Sequence, residues 1–208
     1  MPLFRSSPSS KPTSPKQLNI SRCSVERAIE LNQIWHSRLP IIKGACLSTW
    51  VCFVAEYEEI AYAIAIWSNP IARMLNGKGL FELRRMAISP EAPKNTASRM
   101  LSVMRKHIKS EMPDILKLIS YQDTEVHSGT IYKASGWVAV NTSKNQSRWD
   151  KGRMRNPIQT AAPKIRWEFK LRSGANALDA EDFSSGQKTE KDSFIQTEIF
   201  DAINTNQK

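Results

Sequence analysis

The chain of 208 residues carries 30 Lys and Arg against 20 Asp and Glu, a net charge of +10, with 40% hydrophobic residues and three cysteines. This composition suits one soluble domain with a real core, and no apolar run approaches the roughly 20 residues of a membrane span. Cys23, Cys46 and Cys52 form no CxxC pair, so the spacing excludes a thiolate zinc site and a disulfide framework and leaves each thiol as small apolar filler.

Residues 1–17 are rich in Ser, Pro and Lys, cannot bury apolar area, and are expected to be disordered. They contain no apolar h-region, which points to a cytoplasmic setting. "LNISRCS" reads as a first strand. "SVERAIELNQIWH" reads as a helix with Ser24 as N-cap and Ala28, Leu31, Ile34 and Trp35 on one face, ended by Pro40. "STWVCFVAEY" and "IAYAIAIW" flank Glu58–Glu59 as a hairpin, the second arm apolar on both faces as a central strand is. "NPIARMLNGKG" is a loop and "LFELRRMAIS" the next strand.

A second helix starts near Asn95, with Ala97, Met100, Leu101, Met104 and Ile108 on its apolar face and His107 on its solvent side. "ILKLISY" is a strand, "SGTIYKASGW" a short helix closed by Gly136, and "VAVN" with "KIRWEFKL" a final strand pair. From residue 173 the chain loses aromatics and reads as a flexible acidic tail, apart from a helical stripe of Phe194, Ile195, Ile199 and Ile203. The organisation is then a disordered segment 1–17, a folded domain 18–172 and a tail 173–208. Seven acidic and three basic residues give the tail a net of −4, leaving +14 on residues 1–172. A folded part that basic favours nucleic acid as partner.

The order β-α-β-β-β-α-β-α-β is that of the acetyltransferase-like (GNAT) fold, an α/β (α+β) arrangement with a mixed central sheet flanked by helices. In that fold the fourth strand and the following helix bind the pyrophosphate of acetyl-CoA through free N–H groups and glycines. Here "ISPEAPKNTASRMLSVM" has the right length but places Asn95 and Ala97 where glycines are expected. Lys94, Asn95, Thr96 and Ser98 are the candidate donor-binding residues, the donor being acetyl-CoA or a related acyl carrier.

"YQDTEVHSGTIYKASGW" follows an apolar strand, so Asp123 and His127 emerge at its C-terminal end, where open α/β sheets collect ligands. His127 suits proton transfer near neutral pH, Asp123 can orient an imidazole or bind metal, and Tyr132 offers a phenol. The same residues also read as helix caps and core. His36, in "WHSRLP", stands at a helix end.

Taken together, "WHSRLP", "FELRRMAI", "YQDTEVHSGTIYKASGW" and a basic segment ending in "PKIRW" resemble, in order, the Mom family of phage DNA-modifying proteins, over about residues 20–170. The resemblance implies a GNAT-like enzyme, a transferase adding a small carbamoyl-type (methylcarbamoyl or acetamido) group to adenine N6 in phage DNA within the host cytoplasm, so that restriction enzymes fail to cut. It puts His36, Arg85, Ser98, Asp123, His127 and Tyr132 at stake, and implies a dependence on iron. Two imidazoles and a carboxylate, His36, His127 and Asp123, have the composition of a facial iron triad. The partner is double-stranded DNA whose target adenine is flipped out or unpaired.

The DNA-binding surface is expected in "KNQSRWDKGRMRNPIQTAAPKIRWEFKLR", where Arg148, Trp149, Lys151, Arg153, Arg155, Lys164 and Arg166 stand out and Trp149 and Trp167 are interleaved for stacking. Two alternatives stay open: a GNAT N-acetyltransferase acting on a protein or small amine, and a non-enzymatic basic DNA-binding module on the same scaffold.

Overall fold

The computed structural model of the protein describes residues 10–36, 50–143 and 163–173, all within the compact unit Met1–Ser173. Residues 1–9, Cys46, the segment Arg148–Arg155 and the tail beyond Ser173, with its apolar stripe, lie outside the described residues.

Among the described residues, seven strands and three α-helices follow in chain order: β1 (Asn19–Cys23), α1 (Val25–Trp35), β2 (Val51–Tyr57), β3 (Ile60–Ser68), β4 (Leu80–Ile88), α2 (Thr96–Glu111), β5 (Lys117–Asp123), α3 (Thr130–Ala134), β6 (Val138–Ser143) and β7 (Lys164–Lys170). They form one sheet in the order β1-β2-β3-β4-β5-β7-β6. Every neighbouring pair is antiparallel except β4 and β5, which α2 connects as a crossover. The expected element order is present.

α1 starts where Ser24 Oγ accepts the Arg27 N–H at 3.2 Å, a cap worth about 1 kcal/mol. Its inner face differs from expectation. Ala28 and Asn32 are fully buried, whereas Ile34 is 71% exposed, because the helix turns Leu31, Asn32 and Trp35 toward the sheet instead. β2 and β3 join through Glu58 and Glu59, both at positive φ (47° and 64°), the two-residue turn whose twist suits a hairpin. β3 is the apolar centre. Ala63, Ala65 and Trp67 face α2, while Ile64 and Ile66 face α1.

α2 buries Met100, Leu101, Met104 and Ile108 on the sheet, each contributing roughly 1.5–3 kcal/mol. The Trp67 indole N–H points at Met104 Sδ (3.2 Å) and its ring stacks on Phe81. His107 is not purely solvent-facing: it packs against Phe53 at 5.8 Å and lies 3.3 Å from Glu111.

Residues 10–17 depart from the expected disorder. Ser14 and Gln17 form a reciprocal capping box around a 3-10 turn, Pro15–Gln17, which leads into buried Leu18, and Lys11 pairs with Glu91 at 3.1 Å. Composition missed this because local hydrogen bonds around Ser14 and Gln17, which a residue tally does not register, hold the turn.

Candidate functional site

β4 and β5 pair only from Leu80↔Lys117 to Leu83↔Ser120, although β4 continues to Ile88 and β5 to Asp123. Beyond that point the strands part and leave a slot in the sheet. A cavity of about 300 Å³ occupies it, lined among others by His36, Arg84, Arg85, Ser120, Tyr121, Gln122, His127 and Tyr132. That is the lower end of the roughly 300–1,000 Å³ of small-molecule sites.

A β-bulge shapes the β4 wall. Ile66 pairs with Arg85 but Trp67 with Leu83, so Arg84 is an extra residue. In a regular strand Arg85 would share the α2 face with Phe81 and Leu83. After the bulge the parity inverts: Met86 and Ile88 join the α2-side core and Ala87 the α1-side cluster. Arg85 thereby turns to the α1 side, beside His36, the residue that ends α1 with its N–H on Asn32 O at 2.8 Å. Arg85 donates to the Arg84 carbonyl at 2.7 Å and Arg84 to Ser68 Oγ at 3.2 Å. The Nε atoms of both guanidiniums are buried with no hydrogen-bond partner; that of Arg84 lies 3.9 Å from the Glu82 carboxylate, while that of Arg85 is a donor left for an anion or developing charge.

Burial first, then the Arg85 guanidinium and the neighbouring His127, press the His36 imidazole below its ordinary pKa. It is therefore neutral near pH 7 and able to accept a proton. Burial also lowers the Arg85 guanidinium from its usual value, with Arg84 adding to the effect.

The opposite wall is built from β5, α3 and β7. Ser120 and Tyr132 share a hydrogen bond of 2.8 Å, and burial raises the phenol pKa. Tyr132 stacks on Trp167 with centroids 5.3 Å apart at 15°. The Trp167 indole donates to Gln122 Oε1 at 2.7 Å, and the Gln122 amide donates to the His127 carbonyl. Gly129, at φ +74°, leaves this cluster its room: a Cβ there would sit 2.5 Å from Gln122 Oε1 and 2.7 Å from Trp167 Cζ2.

The structure thus brings His36, Arg85, His127 and Tyr132 to one cavity, and it adds Arg84, Ser120 and Gln122, which sequence reasoning missed. Ser120 and Gln122 did leave a signal, since they are polar residues at alternate positions on the buried face of an otherwise apolar strand.

Asp123 does not join them. It accepts the Glu125 N–H on Oδ1 at 3.1 Å and the His127 N–H on its carbonyl at 3.1 Å, shaping the turn that carries His127. The trio His36, Asp123 and His127 consequently does not fit an iron centre, and among the described residues no three His, Cys, Asp or Glu side chains converge as metal ligands.

Next to the slot a second recess of about 280 Å³ surrounds the start of α2, lined by Pro93, Lys94, Asn95, Thr96, Ala97 and Ser98. The two share Ile88, Ala97, Thr130 and Ile131. Asn95 adopts the left-handed conformation (φ 66°) that a glycine would supply, and its side chain caps no N–H, so the helix end stays open. Thr96 is buried and donates to Pro93 O at 2.6 Å, and Ser98 donates to Asn95 O at 3.1 Å. Those hydroxyls are committed to the local fold; Lys94 and the backbone of the first turn face the recess.

Of the expected DNA-contacting residues, only Lys164 and Arg166 are described, both on β7. Trp167, expected to stack on bases, is 4% exposed and belongs to the core. None of the described helices is long and apolar enough to cross a membrane.

The Mom protein family matches residues 61–185, more than half of the chain. The chain belongs to the Mom protein family. No curated protein matches it. Among solved structures, it resembles the ribosomal-protein-S18-alanine N-acetyltransferase of Escherichia coli, with TM-score 0.54 and 14% identity over 76% of this chain and 97% of that one. It resembles equally an acetyltransferase of Bacillus subtilis solved in complex with CoA, with TM-score 0.54 and 12% identity over 74% and 99%. A Salmonella typhimurium acetyltransferase solved with its cofactor acetyl-CoA gives TM-score 0.54 and 11% identity over 79% and 99%. At such identities the shared property is the GNAT fold. This Mom protein is thus acyltransferase-like in architecture, with its slot at the parting of the parallel pair β4–β5.

Proposed function

We propose that this Mom protein transfers a small carbamoyl-type (methylcarbamoyl or acetamido) group to the N6 amine of adenine in DNA, protecting phage DNA from restriction. The observation that carries this reading is the slot itself. On the α2 side it adjoins a recess with an open helix N-terminus, and on the α1 side it presents His36, Arg85 and His127.

An acyl donor of the acetyl-CoA type fits the α2 side. The left-handed Asn95, the backbone N–H groups of the first turn and Lys94 would hold its phosphates, and the bound donor would supply an activated acyl carbon. The work left to the chain is then definite. The adenine amine is a poor nucleophile, so its proton must be taken as the new N–C bond forms. Neutral His36 is the residue suited to take it, with His127 beside it. Arg85, a half-buried cation on the slot wall, would stabilise charge developing on the acyl oxygen. The Tyr132 phenol, its pKa held high, keeps its proton for the departing group, with Ser120 as its hydrogen-bond partner. The basic segment Arg148–Arg155 is the proposed phosphate-binding arm.

The test is mass spectrometry of nucleosides from DNA of cells that express the protein. A new acylated deoxyadenosine is expected, and it should vanish in His36→Asn. Unmodified deoxyadenosine from cells with abundant folded protein overturns the DNA substrate. If that protein still binds acetyl-CoA, the result favours a protein or small-amine acceptor, the substrates of acetyltransferases with this fold.

A further inference from the structure

Alternation along β5 separates its side chains cleanly. Leu118, Ser120 and Gln122 are buried toward α2, while Tyr121 emerges on the opposite face, 40% exposed. Of the large apolar side chains that stand exposed among the described residues, Tyr121 is the only aromatic, and it lines the slot. α1 packs over β2, β3 and β4 on this face. The neighbouring surface is cationic: Tyr121 lies directly across from Arg166 on β7, whose guanidinium stands beside its phenol. Arg166 in turn pairs with Glu168, which is 6% exposed and also bonds Lys117 at 2.7 Å. The ring is thus flanked by a half-buried ionic frame, on the side of the slot that carries His36 and Arg85. Burial keeps its phenol neutral.

We propose that Tyr121 is the stacking platform for the acceptor base, with Arg166 taking a phosphate of the same strand. The proposal rests on the nucleic-acid reading of the slot and deepens it. An unpaired purine presents a flat π-face, which a fixed tyrosine ring matches, and a flanking guanidinium suits its phosphate. A ring ordered before binding loses little entropy on contact. The role expected of Trp167 thus passes to Tyr121, because Trp167 faces the core from the other side of the sheet.

The full chain can be titrated with a fluorescently labelled single strand of about ten deoxyadenylates and followed by anisotropy. Tyr121→Ala should weaken binding about 5- to 150-fold, the usual worth of one stacked base, without changing the salt slope. Tyr121→Phe should stay within about twofold, since stacking uses the ring and not the hydroxyl. Arg166→Gln should flatten the slope by about 0.7, one phosphate contact on a single strand. The platform is overturned if Tyr121→Ala, verified as folded by thermal melting, binds like the parent, or if Tyr121→Phe loses as much as the alanine variant. If Tyr121→Ala loses affinity while nucleoside analysis of the parent shows no modified adenine, the platform stands and the transfer reaction falls.

Discussion

On the α2 face of the slot, Ser120, Gln122, Tyr132 and Trp167 are all buried; Ser120 bonds Tyr132, Trp167 bonds Gln122, which donates to the His127 carbonyl, and the Tyr132–Trp167 stack joins the two sets. On the α1 face, His36, Arg85 and Tyr121 are partly exposed, and the Arg85 Nε lacks an acceptor. The two faces divide the labour. One spends its polar groups on each other and sets geometry; the other sets a neutral imidazole beside a guanidinium donor that lacks an acceptor. Satisfied buried networks rigidify, whereas unsatisfied donors at a cavity wall are strain kept for a ligand.

The sharpest way to break this comparison is to damage the structural wall alone. Gly129→Ala forces a Cβ against Gln122 and Trp167 at a left-handed φ, so unfolding free energy in urea should fall by about 2–5 kcal/mol and acyl transfer should go with it. Damage to the other wall should do the opposite. Arg85→Gln should cut modified-nucleoside formation by about 10²–10³-fold while the urea midpoint barely moves.

The same change has a pH signature. Arg85 holds the His36 pKa down, so its removal should shift the acid limb of the rate profile to higher pH. The stability sign follows from the same shift. Below about pH 6.5 the unfolded chain takes up the His36 proton more readily than the folded one, so acidification through that range destabilises the parent protein. His36→Asn should flatten that part of the stability curve.

Tyr132→Phe belongs to both walls. It should slow transfer by about 10²-fold, the lower range for one acid-base group, and cost about 1 kcal/mol for the bond lost to Ser120. The smallest effect is a control remote from the slot. Glu59→Gly relieves the positive φ of 64° in the β2–β3 turn and should stabilise by about 1 kcal/mol without touching activity.

Much of this was legible in the chain. Ser24 as cap, Asn95 as the start of α2, Gly136 at the close of α3 and the hairpin around Glu58–Glu59 are local signals, each set by hydrogen bonds or backbone angles within a few residues. His36, Arg85, His127 and Tyr132 could be named from motifs. Their partners could not. Asp123 looked like a catalytic carboxylate and proved to be a turn residue, since both roles ask for the same side chain at a strand end. Asn95 looked like a missing glycine and takes the glycine's conformation itself.

The sequence by itself determined the element order, the apolar centre at β3 and the residue types available for acid-base work, because periodicity and capping act over a turn or a strand pair. Only the tertiary structure decided which of them meet. A single bulge at Arg84 swings Arg85 to the His36 side, and the early end of β4–β5 pairing opens the slot between them. The first depends on the register of β3 against β4 and the second on that of β4 against β5 across the crossover helix, and no local pattern encodes either.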